Sequence, residues 1–314
     1  MPKVSIIIPV YACQDYIGRC IESLQKQTIS DIEIIFVNDC TPDDSVEIIK
    51  KYMEHDLRIF IINHDRNIGP MMARYNGYKV AKGDYITFMD SDDTLPSDSL
   101  EKLLTEADRS GADIVSGTVE YVKDNGEREK WDNSLDNGND IECVFKSMLI
   151  NRFKHNLCSR LFKRSLLQNY SYKNYENMRN GEDGLLFYQI VSNCSSIVTI
   201  KDVVYEYWQN KTSSSQKKFS DLQMDSYFFT CKEQFLIANK FTSLKKYAEQ
   251  FIVKSIILLY AKGYNRKFIQ RYINKYDLSS YVSYNSLYKL FPVKIAIKYT
   301  IQKTFCPIFR NVKQ

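Results

Sequence analysis

The chain opens on Val4 to Val10, an apolar run broken only by Ser5 and Pro9, and segments of the same kind return four times before residue 122. Short runs rich in β-branched and aromatic residues, bounded by turn formers, read as buried strands. They predict strands over Val4–Val10, Ile32–Val37, Arg58–Ile62, Tyr85–Asp90 and Asp113–Val122, with Pro9 ending the first. Between them the apolar period lengthens. Ile17, Cys20, Ile21 and Leu24 follow helical spacing behind a cap at Asp15 or a neighbour, and Thr41-Pro42-Asp43-Asp44 opens a helix through about Met53. Asn67-Ile68-Gly69-Pro70 leads into a helix reaching Ala81, and another runs from about Ser97 to Arg109. Strands alternating with helices predict an α/β fold with a mostly parallel sheet flanked by helices on both faces.

In such sheets ligands sit outside the carboxyl ends of the strands. The polar residues fall there: Pro9 and Tyr11 after the first strand, Asp39 after the second, Asn67 after the third, and Asp90-Ser91-Asp92-Asp93 after the fourth. Three carboxylates within four positions repel one another unless a cation or donor neutralises them. A hard divalent cation, Mg²⁺ or Mn²⁺, takes oxygen ligands from one or two carboxylates and the rest from phosphates and water. Asp90 and Asp92 therefore read as an Asp-x-Asp site for a metal-bound diphosphate. The competing reading is an acidic turn whose side chains cap the helix near Ser97. A Gly-x-Gly-x-x-Gly after the first strand and a phosphate-loop Gly-Lys-Ser/Thr are both missing, which counts against dinucleotide oxidoreductases and phosphate-loop enzymes. A second acidic pair, Glu182-Asp183, opens an amphipathic helix with apolar Leu186, Phe187, Ile190 and Val191. By itself that pair is explained by the helix dipole.

The ordered set Val-Ser-Ile-Ile-Ile-Pro-Val-Tyr, Val37-Asn38-Asp39, Asn67-x-Gly69, Ala73-Arg74-x-Asn76-x-Gly77 and Phe88-Met89-Asp90-Ser91-Asp92-Asp93 resembles a family 2 glycosyltransferase of the bacterial polysaccharide or glycoprotein type. The match is close over residues 3–120 and looser to about 215. The resemblance implies a GT-A fold and an inverting, metal-dependent transfer from a UDP-sugar to a hydroxyl of a glycan, lipid-linked saccharide or glycoprotein, by single displacement. It implies that Pro9 and Tyr11 line the base pocket, that Asp39 accepts from the uracil edge, and that Asn67 helps to hold the nucleotide. Arg74 reaches the nucleotide or diphosphate, Asp90 and Ser91 belong to the donor site, and Asp92 with Asp90 holds Mn²⁺ or Mg²⁺. Asp183 becomes the catalytic base, with Glu182 orienting base or acceptor. The aromatic segment Tyr205–Ser215 departs from the family pattern: it has no histidine and one cation, Lys211, which leaves a third protein ligand to the metal open. His55, His64 and His155 read as surface or structural residues. The rivals are a nucleotidyltransferase and a catalytically silent scaffold or regulatory subunit.

Charge divides the chain. From Lys240 onward fifteen Lys and Arg face two acids, a local +13, so residues 1–239 carry −8 of the overall +5. Helical periodicity over Ser220–Asn239, Ser243–Lys262, Lys267–Tyr276 and Asn285–Lys303 predicts a helical C-terminal region, residues 219–314, after a transferase domain of residues 1–218. Lys289, Lys294, Lys298 and Lys303 alternate with apolar residues, a pattern suited to an anionic membrane surface or a homo-oligomer interface. No motif supports nucleic-acid binding. With no apolar run near the ~20 residues of a membrane span and no signal-peptide pattern at the start, the expected location is the cytoplasm, with peripheral contact at the inner face of the membrane. The eight cysteines form no Cys-x-x-Cys pair and read as reduced, mostly buried thiols. Asp124-Asn125-Gly126 predicts a hairpin turn, and the polar run to Asp140 a variable loop near the acceptor.

Overall fold

The structure is a computed structural model, and it describes residues 1–135, 140–168, 178, 180–209 and 218–281. The strands are β1 (Val4–Val10), β2 (Ile32–Asn38), β3 (Ile59–Asn63), β4 (Tyr85–Phe88), β5 (Ile114–Val122), β6 (Arg128–Trp131), β7 (Arg160–Lys163) and β8 (Ile197–Trp208). The helices are α1 (Ile17–Gln25), α2 (Ser45–Met53), α3 (Pro70–Val80), α4 (Ser99–Ser110), α5 (Ile141–Leu149), α6 (Glu182–Val191), α7 (Asp221–Ala238), α8 (Lys245–Ala261) and α9 (Arg266–Lys275).

The strands join in the order β3-β2-β1-β4-β7-β5-β6, and β8 pairs with the other edge of β5. The first four are parallel, as the alternation of strands and helices predicts. The short strand β7 was not legible in the sequence; it runs antiparallel between β4 and β5 and so separates two strands that are neighbours in the chain. The predicted turn is present: Gly126 takes φ +83° and its N–H donates to the Lys123 carbonyl at 2.9 Å, closing the β5–β6 hairpin.

Pro9 does not end β1, which runs on to Val10. The Ile7 carbonyl accepts from Met89, so Ile7 and, by alternation, Pro9 turn their backbone groups toward β4. Register pairing with β4 stops at Ile7, so the donor that Pro9 lacks is not needed by the ladder. The N-cap of α1 is Tyr16, the neighbour of Asp15, and it makes no side-chain cap bond.

The sheet separates two apolar layers. Val4, Ile6, Ile8 and Val10 pack with α1, α2 and α4 residues such as Ile21, Ile49 and Leu103. Ile7, Ile35 and Val37 face the opposite layer, which continues without a break through α3, α5 and α6 into α7, α8 and α9. The C-terminal helices therefore share a core with the sheet's second face. Ser220 and Gln223 form a reciprocal capping box at the start of α7. The predicted helix at Asn285–Lys303 and its lysines lie outside the described residues.

α3 lies unusually close to the sheet. A Cβ at Gly77 would stand 2.5 Å from Ile7 Cγ2 and 3.1 Å from Val37 Cγ2. Gly77 is thus required by close approach, and the same helix face carries Arg74 into the interior. Gly77→Ala is expected to lower stability by about 1–3 kcal/mol through overpacking, read as a fall in the urea midpoint.

Candidate active site

The carboxyl ends of β1, β2 and β4 and the N-termini of α3 and α6 supply the groups that converge here. Tyr11 follows β1 with half its surface exposed, and Pro9 is partly covered. Asp39 follows β2 and is buried. Its Oδ1 accepts from His64 Nδ1–H and the Ile68 N–H, both at 2.9 Å, and its Oδ2 accepts from the Gly69 N–H at 2.8 Å. His64 Nε2 lies 2.9 Å from Asn76 Nδ2, so the ring is held at both of its nitrogens. His64 is the satisfied structural residue its sequence context suggests. Asp39 fastens the loop containing Asn67 to the end of β2, and one of its roughly four acceptor positions is left for a ligand. Asn67 itself is half-buried in that loop.

Asp90 stands at the centre. Arg74 Nη2 donates to its Oδ1 at 2.5 Å, and the Cys158 thiol points at its Oδ2 at 3.7 Å. The pair is asymmetric: the Arg74 side chain is 6% exposed and that of Asp90 38%. Burial disfavours the guanidinium charge, but Asp90, with Asp183 and Glu182 nearby, more than offsets this and raises the Arg74 pKa. Ser91 is buried and Asp92 half-buried.

Asp93 plays no part in capping a helix. It is wholly buried, with Oδ2 accepting from the Tyr205 hydroxyl at 2.6 Å and Oδ1 from the Trp208 N–H at 2.9 Å. The Tyr205 oxygen accepts in turn from the Asp90 N–H at 3.1 Å, and Trp208 Nε1 donates to Thr94 Oγ1 at 2.8 Å. Arg19 closes the arrangement from α1: its guanidinium stacks 4.3 Å from the Trp208 ring centroid and donates to the Asp92 carbonyl. The acidic loop is thereby clasped to β8. Burial, then the neighbouring Asp92 and Asp90, push the Asp93 carboxyl well above the usual range. α4 starts later, behind Asp98, which makes no side-chain cap bond, so the helix-capping reading of the acidic turn fails.

The second acidic pair opens α6 as predicted. Gly181, its N-cap, has φ +80° and stands where a Cβ would lie 2.7 Å from Thr230 Oγ1. Asp183 Oδ1 accepts from the Gly184 N–H at 2.9 Å. Burial raises the Asp183 pKa; Arg74 opposes the shift and Asp90 adds to it. Burial and then Asp183 push Glu182 up to about 7. These influences tie the Asp90 and Asp183 clusters together through Arg74. Among the described residues, no three His, Cys, Asp or Glu side chains converge as a ready-made metal cage.

Glu182 gives a stability prediction with a definite sign. Its carboxyl is protonated in both states below the ordinary value of 4.5, whereas above about 7 the folded chain must hold a buried charge that the unfolded chain solvates. Stability contributed by this site falls as pH rises through that window. Glu182→Gln is expected to melt higher than the parent at pH 8 and equally at pH 4, measured by paired thermal scans.

The profile of glycosyl transferase family 2 matches residues 5–173. The chain belongs to this family. Within the family it is 33% identical over 224 residues to the uncharacterized glycosyltransferase EpsJ of Bacillus subtilis, covering 69% of this chain and 64% of that protein. It is 32% identical over 170 residues to the GalNAc(5)-diNAcBac-PP-undecaprenol beta-1,3-glucosyltransferase of Campylobacter jejuni, covering 54% of each. Among solved structures, S. aureus TarS 1–349 in complex with UDP-GlcNAc superposes with a TM-score of 0.66 at 19% identity, covering 81% of this chain and 71% of TarS 1–349. The chain thus combines membership of glycosyl transferase family 2 with a GT-A type fold, as its motif order implies.

Several residues of the site escape sequence reasoning. Asp93 meets Tyr205 and Trp208 across 112 and 115 positions, and Arg19 reaches the Asp92 carbonyl across 73 and the Trp208 ring from farther still. Cys158 and Arg160 come from the short strand β7 and the loop before it. The Tyr205–Trp208 aromatics were the one available signal. Lys211 and Ser213–Ser215 of that segment lie outside the described residues.

Proposed function

We propose that this glycosyltransferase moves a sugar from a UDP-sugar to a hydroxyl of a saccharide, lipid-linked saccharide or glycoprotein acceptor, with inversion in a single displacement. The observation that carries the reading is the pair of acidic clusters, Asp90-Ser91-Asp92 and Glu182-Asp183, joined across Arg74 at the carboxyl edge of the sheet. A donor needs its diphosphate neutralised and an acceptor needs its hydroxyl deprotonated, and two separate carboxylate sites divide those tasks.

Tyr11 and Pro9 line the base pocket, while Asp39 and Asn67 present acceptors and donors to base and ribose. Asp90 and Ser91 flank the donor, and Arg74 orients Asp90 while adding positive charge beside the diphosphate. Asp92, with Asp90, holds Mn²⁺ or Mg²⁺. When bound, the cation neutralises charge developing on the leaving diphosphate. Asp183 takes the acceptor proton as the hydroxyl oxygen attacks the anomeric carbon opposite the departing UDP, and Glu182 orients base or acceptor. The doubly held imidazole of His64 and the clasped Asp93 keep the loops rigid. The UDP and UDP-GlcNAc complexes of TarS support a UDP-linked donor. A lipid-linked acceptor is supported by the Campylobacter enzyme's name and a polymeric one by the poly(ribitol-phosphate) beta-glucosyltransferase of Bacillus spizizenii. The test is a donor screen: purified protein, Mn²⁺ or Mg²⁺, and UDP-, GDP- and dTDP-sugars, with released nucleotide as the readout. Metal-dependent release from one UDP-sugar is expected; release confined to GDP- or dTDP-sugars would overturn the donor assignment.

The transferase unit is assigned to residues 1–218 and the helical basic region to 219–314. Among the described residues no helix is long and apolar enough to cross a membrane. Membrane contact at the cytoplasmic face, or self-association, is proposed for the basic C-terminal region. Sedimentation with anionic vesicles is expected to exceed a neutral-lipid control and to fall with salt; equal sedimentation in both would rule out the lipid contact.

A further inference from the structure

Arg160 carries a charge in the interior for which no opposite charge is found among its hydrogen-bond partners. It is among the largest fully buried side chains, at 0% exposure. Its Nη1 donates to the Asn156 carbonyl, to Asn156 Oδ1 at 2.7 Å and to the Cys158 carbonyl at 3.1 Å, and its Nη2 donates to the Lys154 carbonyl. None of these acceptors is a carboxylate. The guanidinium carbon lies 4.9 Å from the Phe153 ring centroid and 4.2 Å from that of Phe187, while Nε is buried without a partner. Keeping an ion dry against carbonyls and rings is costly, and a hydrocarbon of similar length would fill the space at less expense in solvation. The segment 153–158 is wrapped around this one side chain.

What that segment touches gives the cost a purpose. At one end, the Cys158 thiol meets Asp90 Oδ2 at 3.7 Å. In the middle, His155 is so close to α6 that a Cβ at Gly184 would stand 2.6 Å from its Cδ2, next to Asp183. Phe187, stacked on the guanidinium, lies one turn along α6 from Asp183. Ser159, which joins the segment to β7, holds φ +64°, a left-handed conformation that a serine adopts only under constraint. The loop therefore spans from the donor carboxylate to the base, with Arg160 as its internal anchor.

We propose that Arg160 is a positioning residue: through the 153–158 loop and Phe187 it fixes the base Asp183 relative to Asp90. The inference rests on the reading of Asp183 as base. Neither Asp90 nor Asp183 is hydrogen-bonded to Arg160, and Asp183 meets its charge only through space. Its loss acts on their relative placement, and Arg160→Lys, which keeps the charge, isolates that part of the effect. A displacement near 1 Å at reacting groups costs about 10²-fold in rate.

The test uses the full chain with Mn²⁺ and the UDP-sugar that turns over. UDP titration by calorimetry gives the fraction of chains competent to bind, and turnover is expressed per competent site, so misfolded protein is not counted. Arg160→Met is expected to lose about 10²-fold in kcat with the UDP affinity within about threefold, and Arg160→Lys, which keeps the charge and three donors, to recover part of the loss. Should both buried variants fail to fold, Asn156→Ala removes one acceptor from the half-exposed loop and is expected to lower kcat several-fold at unchanged UDP affinity. Wild-type kcat per competent site in Arg160→Met or, failing that, in Asn156→Ala overturns the inference. Asp183→Asn, assayed alongside, separates the two failures: an active Asp183→Asn rejects the base assignment, whereas inactive Asp183→Asn beside fully active Arg160 variants rejects the anchor.

Discussion

Asp183→Asn is expected to lower transfer by about 10²–10⁴-fold while leaving UDP affinity within a few-fold of the parent, the signature of a lost general base. The substitution is nearly isosteric, and the amide oxygen can still accept from the Gly184 N–H as Asp183 Oδ1 does at 2.9 Å. The N-terminus of α6 is therefore retained, and its fold with it. What disappears is the capacity to take a proton. Because burial and Asp90 raise the Asp183 pKa while Arg74 opposes them, the parent enzyme's activity should rise with pH as the base ionises, and that acidic limb should be gone from the residual activity of the variant. Turnover assays across pH with parallel UDP calorimetry check both statements. Full activity in Asp183→Asn would move the base elsewhere, with Glu182 next in line.

Asp92→Ala is the second large effect, and it falls on the donor side. Asp92 is half-buried at the turn after β4, where its carbonyl is held by Arg19 and the following Asp93 is locked to Tyr205 and Trp208. Those contacts involve the Asp92 backbone and its neighbour, so truncating the Asp92 side chain leaves the clasp in place. The expected loss is at least about tenfold in metal-dependent UDP affinity, with a further fall in kcat, because a carboxylate ligand that neutralises the cation is removed. Metal-free UDP binding should change little. A variant with parent-like metal dependence would remove Asp92 from the ligand set.

The two predictions draw on residues that were legible for different reasons. Asp90 and Asp92 stand out because an apolar strand ends in crowded carboxylates, a local conflict that only a cation or donor resolves. Asp183 was explicable by the helix dipole alone, and only the ordered motifs of the family gave it a role. The parallel half of the sheet, β1 to β4, was legible from alternating periods. The other half was not: β7 is four residues long and pairs antiparallel to both neighbours, and α5 lies behind a polar stretch that reads as loop. Asp93 looked like a third member of the acidic turn. Its partners on β8 lie more than 110 residues away, and no local pattern announces them. Arg160 is harder still, since its acceptors are mostly backbone carbonyls, which every residue has.

The clasp of Asp93 on β8 and the anchoring of Asp39 on the Asn67 loop have a common physical sense. Both donor-side loops are pinned by buried carboxylates that accept from backbone N–H groups, which leaves Asp90 and Asp92 as the more exposed acids of that edge. A rigid frame around two partly exposed carboxylates is what the proposed diphosphate site would require.

The most direct test of that claim is calorimetric titration of UDP into the full chain, with and without Mn²⁺. The expected result is binding near one site per chain that strengthens markedly with metal. Absence of UDP binding under both conditions, in protein that melts cooperatively, would contradict the donor site at the end of β4.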